Sequence, residues 1–544
     1  MTSFDLIREP WVPVEVAGQR ENLSLRDVLT RGHEIDGFAT DDPLQAIAVF
    51  RQVLLPVVLD ALGVPRSEEE WAARWEAGSL DTGTLGAYLD EHAGRFDLFH
   101  PAHPFAQVAG LRTSTGETKP VSLLLPAVAT GNNVPLFSAR TEADQPALTP
   151  AEAARALLAT QCWDTAAIKS GAVGDPQVKA GKTTGNPTGP LGQLGVVVPV
   201  GRTLAETILL NTPIVPQGLR GGDRPQWRAE PQTAVWRKRP ASGLLDLLTW
   251  QSRRMRLIVE SGDDSPTVVT QVVLSAGDRL DGVPEYEMHT AWRQEAKPRA
   301  GQAARRPLRH RSGREAWRGL EALLETRQSA EDSDSTSLLI QQMASLQAEG
   351  MLAQDYPLQI LAVGVAYGTQ FSVVEDVAVD RLPLPVAALA ADSPSRGFLL
   401  DVAAQADKLS KAADYLGNDL RRALGGDNLP WDKGQRLGDA LIHRLTPLVR
   451  RLLAGLQRRP DLVEEAEIAW RQAALELSLE HVEPVLSDAP PAAFLGRQKG
   501  GKNPLGKGVF RLSVAEARYR RAVREILGTS SATTSESLSA TEGA

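Results

Sequence analysis

Gly181-Lys182-Thr183 has the residue types and spacing that could bind a phosphate. It resembles the end of a P-loop, in which backbone amides and a lysine surround the phosphates of a nucleotide. That motif requires a glycine five residues before Gly181, where this sequence has Pro176, and no hydrophobic strand precedes the segment. The sequence therefore argues against nucleotide hydrolysis at this position.

Two further groups could support metal or nucleophile chemistry. His100 and His103 lie close together, but the prolines after each break any helical face, and no carboxylate or cysteine cluster completes a ligand set. Cys162 follows an apolar segment and precedes Trp163, which favours a small core residue, since a reactive thiol needs accessible, electropositive surroundings. No serine-hydrolase or zinc-protease motif is found. We therefore expect no catalytic residues, no metal and no cofactor.

Basic residues are concentrated in a few segments of the chain. Of the 12 lysines, six lie in two glycine-rich loops: Lys169, Lys179 and Lys182, and then Lys499, Lys502 and Lys507. Residues 297–314 add seven basic residues and no acid, among them Arg305, Arg306 and Arg309. Cations on flexible backbone with small neighbours suit contact with nucleic-acid phosphates, although exposed loops also collect charge without binding anything. We expect phosphate contacts from these loops.

The composition limits the class of protein. The chain has 544 residues, enough for two to four domains, of which 42% are hydrophobic and 23% charged, as in soluble globular proteins. The formal net charge of −8 excludes a uniformly basic, histone-like binder. A single cysteine excludes an intramolecular disulfide framework. No apolar run approaches the roughly 18 residues of a membrane span, and the N-terminus resembles no signal peptide. We expect a cytoplasmic protein without a membrane partner.

The first 392 residues mix helical and strand patterns. Residues 4–16 predict an edge strand or an extended arm, and residues 42–62 predict a helix that Pro56 kinks or divides. Thr149-Pro150-Ala151-Glu152 predicts a capped helix start. Strands are expected at 255–260, at 267–274 and at 360–374, the last interrupted by the polar residues Gly368-Thr369-Gln370.

The composition changes near residue 396. Apolar residues then recur every three or four positions in segments 397–424, 431–456, 462–482 and 512–527, which is typical of a helical bundle. We therefore expect an α+β protein: a mixed α/β domain over 1–392, an all-α four-helix bundle over 393–528, and a disordered Ser/Thr/Ala-rich tail over 529–544.

Taken in order, several segments resemble the CasA family, the large subunit of the type I-E CRISPR Cascade complex. They are FDLIREPWVPV, SLRDVL, DDPLQAIAVFRQVLL, HPFAQV, LFSARTEADQPALTPAEAARALLATQ, AAIKSG, GRTLAETILLN and the helical C-terminus, together covering about residues 1–527. The resemblance implies a non-catalytic subunit that holds the 5′ end of the guide RNA and recognises the protospacer-adjacent motif in duplex DNA. It also implies that the subunit starts the strand separation that forms an R-loop and recruits a separate helicase–nuclease during antiviral defence.

The resemblance also implies three functional segments. Phe137, Ser138 and Arg140 match the loop that docks near the guide RNA and a neighbouring subunit. Thr165, Ala166 and Ala167 stand where the family has glycines, ahead of Lys169-Ser170-Gly171, in the loop that reads the motif from the minor groove. Alanine still lets the backbone approach the groove, but the set of tolerated motifs could differ. Gln370, with Thr369, matches the wedge that separates the strands. Without the resemblance, Gln370 would be a polar residue at the end of a strand.

Two family features are not matched. No lysine occurs between Lys238 and Lys297, so the family's lysine finger has no counterpart and Arg279 is only a guess for it. The small zinc motif of some members is lacking, because the chain has one cysteine. Two other functions stay open: a helical scaffold that does not read DNA, and an enzyme whose site is not visible in the sequence. Loss of motif-DNA binding on mutating the loops would exclude the scaffold, and hydrolysis by the purified chain would favour the enzyme.

Overall fold

A computed structural model describes residues 2–128, 145–260, 266–295, 304–325, 334–430, 434, 436–498 and 509–528. The helices are α1 Leu25–Thr30, α2 Pro43–Val49, α3 Leu55–Leu62, α4 Glu68–Glu76, α5 Thr82–Glu91, α6 Pro150–Trp163, α7 Leu204–Leu210, α8 Leu244–Leu248, α9 Leu320–Leu324, α10 Leu338–Ala348, α11 Pro394–Ala423, α12 Leu437–Arg458, α13 Val463–Ser487, α14 Pro491–Leu495 and α15 Leu512–Ile526. The strands are β1 Val12–Val16, β2 Gln19–Leu23, β3 Ile35–Phe38, β4 Lys119–Pro120, β5 Lys169–Ser170, β6 Lys182–Thr183, β7 Val196–Val200, β8 Lys238–Arg239, β9 Arg253–Glu260, β10 Val268–Ala276, β11 Arg279–Leu280, β12 Trp292–Gln294, β13 Arg305–Pro307, β14 Gln359–Tyr367, β15 Val374–Pro383, β16 Arg497–Gln498 and β17 Val509–Phe510. This mixture confirms the α+β class.

The chain divides into two compact units. The first comprises Met1–Ala316, Glu325–Leu352 and Leu358–Arg381, and the second comprises Trp317–Leu324, Ala353–Pro357 and Leu382–Ala544. Short internal segments therefore group with the C-terminal helices. The division into domains at 1–392 and 393–528 stays a prediction.

Small sheets organise the first unit. Their strand orders are β2-β1-β3, β4-β10-β9 and β15-β14-β7, with short pairs β5/β6, β8/β11 and β12/β13. The expected strand pair at 255–274 is present as β9 and β10, which are antiparallel. The expectation for residues 4–16 was wrong in one respect: β1 is the central strand of its sheet, not an edge. Pro13 lies within β1, and the strand is only five residues long, so few ladder bonds are lost.

The helix expected at 42–62 is present and continuous, but it changes helical type along its length. α2 and α3 are joined by a π-helical turn, Phe50–Leu54, and Pro56 is the second residue of α3. Proline has no amide hydrogen to donate, and its ring is bulky. A wider turn accommodates both effects. Contrary to the expectation that no apolar run approaches a membrane span, the helix Pro43–Leu62 is long and apolar enough to cross one. Its 18-residue window of mean hydropathy 1.6 is 83% buried in the protein interior. It is a core helix in this structure.

The second unit is built on four long helices. α11 packs on α12, α13 and α15. Their buried residues recur every three or four positions, as in Leu441, Leu445, Val449 and Leu453 of α12. Two short additions were not predicted: helix α14 and the strand pair β16/β17, whose strands flank residues 499–508. The tail at 529–544 lies outside the described residues.

Candidate nucleic-acid interface

The 165–170 loop begins where α6 ends. The Thr149 hydroxyl accepts a hydrogen bond from the Glu152 amide, and the Glu152 carboxylate accepts from the Thr149 amide, which forms the predicted capping box. At the other end, the Trp163 indole donates to the Leu44 carbonyl at 3.1 Å. Asp164 then leaves the helical conformation. A buried helix therefore fixes the start of the loop.

A buried group of charges anchors the loop. Lys169 Nζ lies 2.7 Å from Asp164 Oδ2, and Arg253 Nε donates to the same oxygen. The exposed fractions of these side chains are 6% for Lys169, 11% for Asp164 and 1% for Arg253. Lys169 therefore turns its ammonium inward, away from any ligand in solution.

The pKa values of the pair reflect this environment. Burial alone would raise the pKa of Asp164, but the charges and hydrogen bonds of Lys169 and Arg253 outweigh it and lower that pKa below its usual range. Burial lowers the pKa of Lys169, and the attraction of Asp164 opposes this only in part. The aspartate is therefore firmly ionised between two cations.

Backbone carbonyls of the loop are also held. Arg253 Nη2 donates to the carbonyls of Thr165 and Pro187, both at 2.8 Å. Asn186 Nδ2 donates to the Ala167 carbonyl at 3.2 Å. These contacts fix the path of the residues that sequence analysis assigned to motif reading.

The structure brings the 165–170 loop against the expected wedge. The Ala166 amide donates to the Phe371 carbonyl at 2.8 Å. The Tyr367 hydroxyl, at the end of β14, donates to the Trp163 carbonyl at 2.6 Å. Two segments far apart in sequence are therefore joined at two neighbouring points.

The hairpin tip between β14 and β15 has an unusual backbone. Gln370 has φ 54° and ψ 26°, and Phe371 has φ 56°, so two successive residues with a Cβ occupy the left-handed region. Such a conformation costs free energy, and it is concentrated at functional sites. Thr369, Gln370 and Phe371 are all exposed. The tip therefore presents the predicted wedge residues to solvent in a strained, defined shape.

Three glycines, in GPLGQLG, pack against the elements of the site. A Cβ on Gly189 would lie 2.3 Å from the Cys162 carbonyl oxygen, and one on Gly192 would lie 2.2 Å from the Tyr367 hydroxyl. One on Gly195 would lie 2.4 Å from the Leu308 carbonyl oxygen. No expectation from the sequence covered this segment, although its glycines at every third position were the available signal.

Lys179 and Lys182 flank a tight turn, which we call the lysine turn (residues 179–182). The two residues exchange backbone hydrogen bonds of 2.9 and 3.0 Å, and Ala180 and Gly181 have φ 47° and 71°, as in a type I′ turn. Directly opposed residues point to the same face, so two like charges lie side by side. Both side chains are exposed, and neither is in an ion pair with another described residue. The turn therefore offers a concentrated positive charge.

The predicted arginines have mixed surroundings. Arg279 lies over the Trp236 ring at 3.9 Å and donates to the Thr184 carbonyl, so it supports the neighbouring loop. Arg305 donates to Ser335 Oγ, and Arg306 lies 3.9 Å from a Glu295 carboxylate oxygen. Arg309 is exposed and lies over the Phe371 ring at 5.5 Å. Of the four, Arg309 is at the hairpin tip.

Some predicted residues fall outside the described part of the chain. They are Phe137, Ser138, Arg140, Lys499, Lys502 and Lys507.

The other chemical signals have structural surroundings. His100 Nδ1 accepts from the amides of Ala102 and His103, and the two histidine rings are stacked. Burial raises the pKa of the Cys162 thiol to about 12, and the thiol accepts a hydrogen bond from Gln52. Among the residues that the structure describes, no group of three or more His, Cys, Asp or Glu side chains could hold a metal ion.

A family model described as CRISPR-associated protein Cse1 matches residues 5–481. CasA/Cse1 of Thermus thermophilus is 35% identical over 266 residues, which is 48% of this chain and 50% of that protein, so the chain aligns with about half of that relative. Thermobifida fusca Cse1, known from a crystal structure, is 31% identical in sequence and has a TM-score of 0.83. The match covers 97% of this chain and 99% of the Thermobifida fusca chain.

Two further solved structures share the fold. Cse1 of Acidimicrobium ferrooxidans is 28% identical with a TM-score of 0.80, covering 97% of this chain and 99% of that one. A chain of a CRISPR RNA-guided surveillance complex is 19% identical with a TM-score of 0.65, covering 96% of this chain and 100% of that one.

Proposed function

The chain belongs to the CRISPR-associated Cse1 family, and on that premise we propose that it is a non-catalytic subunit of an RNA-guided surveillance complex. In this proposal it recognises the protospacer-adjacent motif in duplex DNA, starts strand separation and offers a surface to a helicase–nuclease. Its partners are the guide RNA with the other Cascade subunits, and the duplex target, in the cytoplasm. Phe137, Ser138 and Arg140 are the proposed contacts to the guide RNA and the adjoining subunit.

The hydrogen bond between the Ala166 amide and the Phe371 carbonyl carries this proposal. A protein that opens DNA beside the motif it reads needs the reading and opening elements at adjacent base pairs. Because the bond joins the 165–170 loop to Phe371, the residue next to Gln370, it supports reading and opening at adjacent base pairs. Minor-groove proteins commonly insert a side chain between base steps and unstack them, at a cost of a few kcal/mol per step.

Within the loop, we assign different roles to different residues. Thr165, Ala166, Ala167 and Ser170 form the surface offered to the groove, whose pattern of donors and acceptors distinguishes mainly A·T from G·C. Lys169 acts through Asp164: its buried ammonium holds the loop in shape.

The phosphate contacts are proposed at exposed cations. The lysine turn is the strongest candidate among the described residues, because its two opposed charges lack carboxylate partners there. Arg305, Arg306 and Arg309, and Lys499, Lys502 and Lys507, are further candidates. These contacts add affinity without sequence preference.

A comparison of a closed duplex with one that is already opened distinguishes motif reading from strand opening. The complex is assembled with wild type, Gln370→Ala or Ala166→Trp, and mixed with target DNA that is fully paired or mismatched beside the motif. We expect Gln370→Ala to slow opening of the paired duplex and to be rescued by the mismatches, since the wedge is then no longer needed. Ala166→Trp should impair capture of both duplexes, because a bulky side chain lifts the loop off the groove.

The outcomes that contradict the proposal are specific. If mismatches do not rescue Gln370→Ala, or rescue Ala166→Trp equally well, Gln370 is not the wedge. If neither variant changes binding of motif DNA, the chain is a helical scaffold that does not read DNA.

The salt dependence of binding tests the lysine turn. Replacing Lys179 and Lys182 together by alanine should lower the slope of log K against log salt by about 1.8, because each phosphate that is no longer neutralised accounts for about 0.9. The matched control replaces Lys119 and Lys238, whose ammonium groups are paired with Glu117 and Asp281. An equal slope for wild type and the lysine-turn variant would remove this turn from the interface.

A further inference from the structure

Phe371 is a large apolar side chain in an exposed and strained position. It is 46% exposed at the hairpin tip, directly after Gln370, and its φ of 56° is unusual for a residue with a Cβ. Val379, on β15 of the same hairpin, is 45% exposed but lies away from the tip. Exposure alone therefore does not distinguish Phe371, whereas its backbone and its neighbours do.

The ring is held by several contacts. The Phe371 carbonyl accepts from the Ala166 amide, which fixes the main chain. The Arg309 guanidinium carbon lies 5.5 Å from the ring centroid, and Arg309 Nε donates to the Gln193 carbonyl at 3.1 Å. The Tyr367 ring lies 6.3 Å away at 59°. The aromatic ring is thus pre-oriented beside a cation while much of its surface remains open.

We propose that Phe371, backed by Arg309, is a stacking site for an unpaired DNA nucleobase. The inference rests on the proposed function: when Gln370 enters the duplex, the first base pair beside the motif opens, and one of its bases moves onto the Phe371 ring. Aromatic rings bind bases of any identity in this way, and a neighbouring arginine adds attraction to the base or its phosphate.

This site answers an energetic requirement of strand opening. An inserted side chain fills the opened step, but the released base still loses the stacking of its neighbours. A ring positioned next to the wedge restores stacking for that base, so the opened state is stabilised before the guide pairs with the target strand. Ring and wedge are consecutive residues, so the base has to move only a short distance.

The test combines protein and DNA changes in one cycle. The assembled complex carries wild type, Phe371→Ala, Phe371→Trp or the control Val379→Ala. The DNA is a motif duplex that is intact or has an abasic nucleotide at either position of the first base pair. Opening is followed by the fluorescence of 2-aminopurine at the second base pair. All variants at 371 are L-residues, so the backbone strain is retained throughout.

We expect Phe371→Ala to slow opening of the intact duplex by about 5- to 150-fold, the range that corresponds to the loss of one stacking aromatic. Phe371→Trp should restore the rate, and Val379→Ala should not change it. With the abasic nucleotide on the strand whose base stacks, Phe371→Ala should have no further effect. With wild-type protein, the duplex should open more readily when a purine occupies that position than when a pyrimidine does. This comparison does not depend on the folding of any variant.

Each contrary result has one meaning. If Phe371→Ala slows intact and both abasic duplexes equally, or slows none of them, the ring does not bind a base and the inference is overturned. Gln370→Ala in the same assay distinguishes failure of the stacking site from failure of the proposed function. If Gln370→Ala also opens DNA normally, the proposed function itself fails. If Gln370→Ala slows opening while Phe371→Ala slows the intact and both abasic duplexes equally, only the stacking site is overturned.

Discussion

Replacing Asp164 by asparagine should destabilise the 165–170 loop far more than replacing Lys169 by methionine. Asp164 accepts from both Lys169 and Arg253, and all three side chains are nearly buried. Without Asp164, two cations remain close together without an acid. Removing one partner of a buried charge pair costs about 3–5 kcal/mol. Without Lys169, Asp164 still has Arg253, so no buried charge is left uncompensated and we expect a cost of about 1 kcal/mol or less.

The expected cost of Asp164→Asn lies near the lower end of that range. The pKa of Lys169 is already lowered by burial, so the lysine can lose its proton once Asp164 is gone, which relieves part of the repulsion. We therefore expect about 3 kcal/mol, which corresponds to about a 150-fold rise in amide hydrogen exchange for peptides covering residues 164–170. Peptides from α12, in the other unit, serve as the internal control.

The pH dependence has a definite sign. The folded-state pKa of Asp164 lies below its ordinary value, so the stabilisation is present above about pH 4 and is lost as pH falls through the folded-state pKa. The difference between wild type and Asp164→Asn should therefore shrink below about pH 4. Equal exchange in Asp164→Asn and Lys169→Met would refute this account. A second result would also refute it: Lys169→Met lowers the salt slope of DNA binding by about one unit and leaves hydrogen exchange unchanged. Lys169 would then contact phosphate directly.

Two further predictions concern packing around the same loop. Gly192→Ala should lower the free energy of unfolding by about 1–3 kcal/mol, because its Cβ would overlap the Tyr367 hydroxyl. In thermal unfolding, adding Tyr367→Phe should recover part of this loss. The control Gly221→Ala, whose Cβ would meet open space, should be neutral. Cys162 should resist alkylation at pH 8 in the native protein and react once it is unfolded, since burial raises its pKa to about 12; fast native labelling would contradict the buried thiol.

Local signals in the sequence predicted the elements that position the site. The Thr149–Glu152 capping box and Pro56 act within one or two helical turns, so residue types alone determine their effect. The polar residues at 368–370 were expected to interrupt one strand over 360–374. In the structure the chain turns there, between β14 and β15, so the interruption marked the position of the turn but not the second strand. In each case the physical cause and the sequence signal are the same few residues.

The surroundings of Lys169 could not be predicted in this way. A lysine in a glycine-rich loop suggested an exposed cation, but its ammonium is buried against Asp164. That burial is tolerable only because Arg253, almost ninety residues further on, also binds Asp164 and holds the Thr165 carbonyl. The position of β1 at the centre of its sheet likewise depends on β3, which a local alternation pattern does not reveal.

One of the two links between the 165–170 loop and the hairpin is invisible in sequence, because it joins the main-chain atoms of Ala166 and Phe371. The Ala166 amide already donates to Phe371, so it can reach a base edge in the groove only by breaking that bond. The Ala166 amide therefore cannot contact a base while it also holds the hairpin tip in place. If the bond persists on DNA, the motif is read by the other residues of the loop, and the tip is held ready to enter the duplex. If DNA breaks the bond, capture releases the tip, and binding of the motif itself frees Gln370 to separate the strands.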